Sequence, residues 1–128
     1  VGGITVAASL APQLEALLNQ ARADGIVFGG HAYRSPEVTA RLRVTNGCRD
    51  VYNAPASSCR VPTARPGTSA HERGLAIDFT YQGQTICFPR SSASCSGNAG
   101  FTWLRNNAGS YGLRNLSTEA WHWSTTGR

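Results

Sequence analysis

Residues 47–70 show neither helical nor strand periodicity, and they hold Pro55, Pro62, Pro66, Gly67 and two of the four cysteines. In a chain of 128 residues a structureless stretch this long is uncommon, and it is usually functional or covalently pinned. Cys48, Cys59, Cys87 and Cys95 are the available pins. An even count in a small chain, without a CxxC pair, reads as two disulfides and an exported protein. Pairing nearest neighbours gives Cys48–Cys59 and Cys87–Cys95, each closing a loop that otherwise lacks order. Loops this short should contribute roughly 2–3 kcal/mol each by chain-entropy arithmetic. With no signal peptide visible, the expectation is a mature form acting outside the cell.

The rest of the chain is periodic. Leu14, Leu17, Leu18 and Ala21 recur at helical spacing over Ala11–Asp24, with Pro12 in the first turn and Gly25 as the stop. Ile26–Tyr33 reads as a strand broken by Gly29 and Gly30. Ser35 suits an N-cap and Pro36 the first position of a second helix, which carries Val38 and Leu42 and ends near Asn46-Gly47. Gly74–Tyr81 predicts a strand, followed by a turn and a second strand ending near Phe88. A Ser-rich loop covers 89–97, a third helix Asn98–Ser110, and two short strands Leu113–Leu116 and Ala120–Ser124. Residues 1–10 give no placement. This order predicts an α+β fold, a small antiparallel sheet with flanking helices in a single domain spanning 1–128.

Composition narrows the function. No apolar run approaches the ~18 residues of a membrane span, so none is expected. All twelve basic residues are arginines, and the net charge is +5. They are scattered rather than clustered, which argues against nucleic acid, while a basic protein favours anionic surroundings such as cell-wall polymer.

Three histidines are present: His31, His71 and His122. In a strand over 74–81, Leu75, Ile77 and Phe79 face the core, and Asp78 shares the other face with Gly74 and Ala76. A carboxylate there is either a ligand on the floor of a cleft or a solvated strand residue. Near the C-terminus, Trp121 and Trp123 share one face and His122 points the opposite way. Glu119, three residues before His122, falls on the wrong face in an ideal strand. The two meet only if the chain bends or bulges near Glu119 and Ala120. Two histidines and one carboxylate form a standard catalytic zinc shell with a position left open for water, and an unligated Glu beside them suits a general base.

Here the resemblance becomes specific. Ser69-Ala-His71-Glu-Arg-Gly74-Leu-Ala76-Ile-Asp78 resembles the S-x-H-x-x-G-x-A-x-D motif of the zinc D-alanyl-D-alanine peptidases, the VanY/VanX-like group of the LAS or Hedgehog-type metallopeptidases. Glu119-Ala-Trp121-His122 resembles their E-x-W-H motif, and Tyr33-Arg34-Ser35 their upstream Y-R-S. Trp103-Leu104, Asn107-Ala108 and Tyr111-Gly112 resemble the helix before the final strands. The pieces occur in family order over residues 28–124.

The resemblance implies His71, Asp78 and His122 as Zn²⁺ ligands and Glu119 as general base and proton shuttle. It implies that Arg34 holds substrate and the developing oxyanion, and that Ser69 hydrogen-bonds substrate. Thr39 stands where the family often has Gln, and Ala120 where Pro is common. His31 matches no ligand and is expected to be structural, solvent-facing or at the cleft edge, and Glu72 and Arg73 to lie at the surface.

The implied activity is hydrolysis of peptidoglycan stem peptides in the bacterial cell wall by a secreted monomer, as a D,D- or L,D-carboxypeptidase. The alternatives are an endopeptidase, for example at the L-Ala–D-Glu bond, or a non-catalytic wall-binding module. The intact Glu119 speaks against the last.

Overall fold

A computed structural model describes Val1–Arg128. Helix α1 spans Ala11–Ala23 and presents Leu14, Leu17 and Ala21 to the interior, all fully buried. Gly25, at φ 88°, ends it, and the Ile26 N–H returns to the Ala21 carbonyl. Strand β1 is Phe28–His31, shorter than the sequence suggests because Ile26 and Val27 are spent on the turn out of the helix.

Helix α2, Pro36–Thr45, begins where expected, with the Ser35 hydroxyl accepting the Val38 N–H at 3.2 Å. Its inward face is not its apolar one. Val38 and Leu42 are only half-buried and border a cleft, whereas Thr39 and Arg43 are fully buried. Arg43 donates to the carbonyls of Thr63 (2.5 Å), Asp50 (2.9 Å) and Ala54. The aperiodic stretch therefore wraps around a buried guanidinium that supplies donors to its backbone carbonyls. The Cys48–Cys59 bond closes it, and Cys87–Cys95 closes the serine-rich loop. Burying those carbonyls without donors would cost about 1–3 kcal/mol each.

The predicted strand from Gly74 begins later. Residues Ala70–Arg73 form a 3₁₀ turn, Gly74 adopts φ 70°, and β2 spans Ala76–Tyr81. A Cβ at Gly74 would lie 2.5 Å from the backbone nitrogen of Ala7, which explains the motif glycine. The unplaced N-terminal segment is what presses on it: the Ala7 N–H bonds the Gly74 carbonyl at 3.0 Å, and Ile4 and Leu10 join the core. Ile77 and Phe79 are fully buried as the alternation requires, but Leu75 is only partly so.

Strand β3 is reduced to Gln84–Thr85, since Cys87 turns to positive φ and Phe88 is exposed. Helix α3 is Ala99–Asn107, capped by Asn98 and continued by a 3₁₀ turn over Ala108–Tyr111. Strands β4, Arg114–Leu116, and β5, Glu119–Ser124, close the chain.

The strands form one antiparallel sheet ordered β1-β2-β5-β4, with β3 beside β2. One core holds Leu14 and Leu17 of α1, Phe79 of β2, Phe101 and Leu104 of α3, and Trp123 of β5. Phe28 packs its ring against Phe79 and Trp103, at centroid distances of 5.3 and 5.7 Å. No helix is long and apolar enough to cross a membrane.

Candidate active site

Sheet register assembles the centre. His31 of β1 pairs with Asp78 of β2, and Asp78 with His122 of β5. Residues directly opposite in adjacent strands share a face, so one row crosses the sheet on the side away from Ile77 and Phe79. His71 enters from the 3₁₀ turn before β2. The Ser69 hydroxyl accepts its N–H at 3.2 Å and caps that turn.

Three donor atoms converge. His71 Nε2 and His122 Nδ1 each lie 3.1 Å from Asp78 Oδ1 and 3.2 Å from one another. The remaining ring nitrogens face backbone oxygens: His71 Nδ1 is 2.7 Å from the Ala32 carbonyl, and His122 Nε2 is 2.8 Å from the Arg128 carbonyl. A carbonyl can only accept, so each outer nitrogen carries the proton. In neutral imidazoles the inner nitrogens are then bare lone pairs, facing each other and a carboxylate oxygen. That arrangement calls for a cation at its centre, and the donor set suits zinc. The two imidazoles and one carboxylate would leave Zn²⁺ with a net charge of +1.

In the metal-free chain a proton can take the cation's place, because a protonated imidazole donates from its inner nitrogen to Asp78. Burial alone would raise the pKa of Asp78, but hydrogen bonds from His122 and His71 outweigh it and hold the group well below the usual carboxylate range. Burial works to lower the His122 pKa, and the Asp78 carboxylate reverses this and raises it.

Glu119 borders the same cleft as His122. The expected irregularity is present: the β4–β5 register shifts between Asn115 and Leu116. Burial pushes the Glu119 pKa up to about 7, with nearby Asp78 adding to the rise and His122 and Arg34 opposing it. Burial lowers the Arg34 pKa, against the pull of Asp78, Glu72 and Glu119. Arg34 Nε donates to Thr39 Oγ1 at 3.3 Å and its terminal nitrogen to Ser69 Oγ at 3.4 Å. Thr39 therefore braces the arginine. Ser69 Oγ accepts from both Arg34 and the His71 N–H, which directs its own proton outward as a donor.

These residues open on a cavity of about 1000 Å³. It runs past the centre between α2 (Val38, Leu42) and the 61–64 segment of the long loop. His31 is exposed on its edge beside Asp78. Trp121 borders the cleft and packs under Phe88 at 4.8 Å, while Trp123 packs on Phe101. Glu72 accepts the Gly67 N–H and pins the loop, and Arg73 is exposed. Sequence reasoning missed Arg43, Asn115 and the two carbonyls that orient the histidines. The arginine alone carries a composition signal, as a charge on the inward face of a helix.

Fold and site together define an α+β domain of the Hedgehog/DD-peptidase type with a two-histidine, one-carboxylate centre on its sheet. The family model for VanY, D-alanyl-D-alanine carboxypeptidase, matches residues 3–128, and the chain belongs to that family. It is 27% identical over 135 residues to a D-alanyl-D-alanine carboxypeptidase of Enterococcus faecalis (strain ATCC 700802 / V583). That match covers 92% of this chain and 47% of the relative, so the chain spans about half the length of the curated relative it matches. Among solved structures, VanYB in complex with D-alanine-D-alanine superposes with a TM-score of 0.70 at 25% identity, over 93% of this chain and 70% of that one. A vancomycin-resistance D,D-pentapeptidase VanY in complex with Zn(II) gives 0.68 at 25%, over 93% and 71%.

Proposed function

We propose that this chain is a zinc-dependent carboxypeptidase that removes a terminal D-Ala from peptidoglycan stem peptides, working outside the cell at the wall. The observation that carries the reading is the triad of lone pairs from His71, Asp78 and His122, in one cleft with a buried Glu119 and a braced Arg34. Membership in the VanY family supports the substrate class, and the relatives' complexes with D-alanine-D-alanine and zinc support the ligands. The two disulfides and the net charge of +5 support an extracellular site facing an anionic polymer.

His71, Asp78 and His122 hold the zinc, which when bound supplies Lewis acidity toward a water and a carbonyl oxygen. Glu119 accepts the proton of the attacking water at its carboxylate and delivers it to the leaving amine nitrogen. Burial of the Glu119 carboxyl raises its proton affinity above that of a carboxylate in water, which suits a group that takes and returns a proton. Arg34 directs guanidinium N–H groups at the substrate, where they stabilise charge developing on the scissile carbonyl. The Ser69 hydroxyl donates to a substrate oxygen. The cavity beyond the centre leaves room for the stem preceding the cleaved residue.

The test is digestion of defined muropeptides with mass analysis of the products. Loss of one D-Ala from a free C-terminus, and none from the C-terminal amide, is the expected result. Equal cleavage of the amide, or release at L-Ala–D-Glu, would replace this reading with an endopeptidase. Binding without any product would leave a wall-binding module.

A further inference from the structure

One side chain, Asn115, spans the bulge that brings Glu119 to the cleft, and a second, Trp123, donates its indole N–H to the Ala120 carbonyl at 3.1 Å. Asn115 of β4 pairs with Trp123, and the next residue, Leu116, pairs with Glu119. One step on β4 thus matches four on β5, and Ala120, Trp121 and His122 have no β4 partner. Backbone carbonyls released from a ladder must find other donors. The two N–H groups of the Asn115 amide serve the Glu119 carbonyl at 3.1 Å and the His122 carbonyl at 3.0 Å, and its nitrogen also lies 3.4 Å from the Ala120 carbonyl.

The orientation of that amide is fixed from behind. Its Oδ1 accepts the Ser92 hydroxyl, so the nitrogen faces β5. Ser92 lies in the loop closed by Cys87–Cys95, and the loop grips the bulge twice more. The Ser92 N–H donates to the Ser117 carbonyl at 3.0 Å, and the Ala120 N–H to the Arg90 carbonyl at 3.1 Å. Asn115 itself does not border the cleft.

We propose that Asn115, locked by Ser92, is a positioning residue for Glu119: it holds the β5 bulge that turns this carboxylate to the His122 side of the cleft. The proposal rests on the reading of Glu119 as the proton-transfer group. In a regular strand, residues three apart point to opposite faces, so base and ligand share a side only while the bulge persists. Nothing else on β4 offers its side chain to these carbonyls.

The test compares Asn115→Asp, Asn115→Ala and Ser92→Ala with Glu119→Gln in zinc-loaded protein. Asn115→Asp keeps the volume and the acceptor for Ser92 but sets a carboxylate oxygen against three carbonyls. Displacing a catalytic group by about an ångström can cost ~100-fold. Both Asn115 variants should therefore lose at least ~10-fold in kcat, with KM and zinc content within about two-fold of the parent. Amide exchange at 119–121 should rise while that of α1 stays unchanged. Ser92→Ala, which only withdraws the lock, should show the same pattern with a smaller loss, and it carries the test if the Asn115 variants do not fold. A kcat within two-fold of the parent in every folded variant overturns the proposal, as does a loss confined to KM or to zinc content. If Glu119→Gln loses turnover and the Asn115 and Ser92 variants do not, only the clamp is wrong. If Glu119→Gln keeps its turnover, the base assignment falls and the clamp with it.

Discussion

Glu119→Gln separates chemistry from stability in one variant. Gln keeps the size and hydrogen bonding of Glu but cannot take a proton, so turnover should fall at least ~100-fold, the usual scale for general acid–base catalysis. Zinc content should stay near one per chain. Stability should move the other way. Burial raises the pKa of Glu119 from 4.5 to about 7 in the metal-free protein. Between those values the folded chain holds a proton that the unfolded chain has lost, so the parent loses stability as pH rises through that window. A shift of that size corresponds to roughly 3 kcal/mol, and partial exposure and the coupling to His122 reduce it to roughly 1–2 kcal/mol. Gln has no proton to lose. Metal-free Glu119→Gln should therefore match the parent near pH 4.5 and exceed it by a few degrees in Tm at pH 8. Zinc should shrink the gap, because a cation beside the carboxylate favours its charged form. The assays are turnover on a D-Ala-D-Ala-terminated peptide, metal analysis and thermal melts across pH. Unchanged turnover refutes the base assignment. Zinc lost together with activity makes Glu119 a ligand. A variant less stable than the parent at pH 8 refutes the desolvation argument.

Arg34→Lys should lower kcat/KM at least ~10-fold, about 1.4 kcal/mol, with zinc intact, because one ammonium cannot reach Thr39, Ser69 and a substrate oxygen as the planar fork does; steady-state kinetics with metal analysis checks it. His122→Ala should abolish stoichiometric zinc and, with it, the rise in Tm on adding zinc, about 4 kcal/mol at 1,000 times Kd in the parent; calorimetry with and without chelator reads this. Arg43→Met should destabilise by roughly 1–3 kcal/mol in denaturant unfolding, since the buried Thr63 carbonyl and the part-buried carbonyls of Asp50 and Ala54 lose their donor. A loss under 1 kcal/mol would mean that the 47–70 segment is not organised by that guanidinium.

Local signals made part of the candidate site legible in sequence, and the motif resemblance supplied the proposed ligand set and the roles of Glu119, Arg34 and Ser69. The alternation around Asp78 has period two, and Ser35 before Pro36 announces the start of α2. The conflict between Glu119 and His122 at a spacing of three demanded a bulge, which tells that β5 is irregular but not what holds it. For helix α2 the sequence marks the start and the apolar positions Val38 and Leu42 but not the side that faces in: those two border the cleft, and Arg43 takes the interior. A helical period gives the angle between side chains, and only packing decides which angle faces in.

The tertiary structure alone set His31, Asp78 and His122 in one row, since register across strands 44 residues apart carries no local pattern. It also chose the tautomers of both histidines, through the carbonyls of Ala32 and Arg128. Every residue has a carbonyl, so no residue type announces such a partner. The same holds for Glu119, whose carboxyl is ordinary in sequence and acquires its proton affinity only when the folded chain takes water away from it.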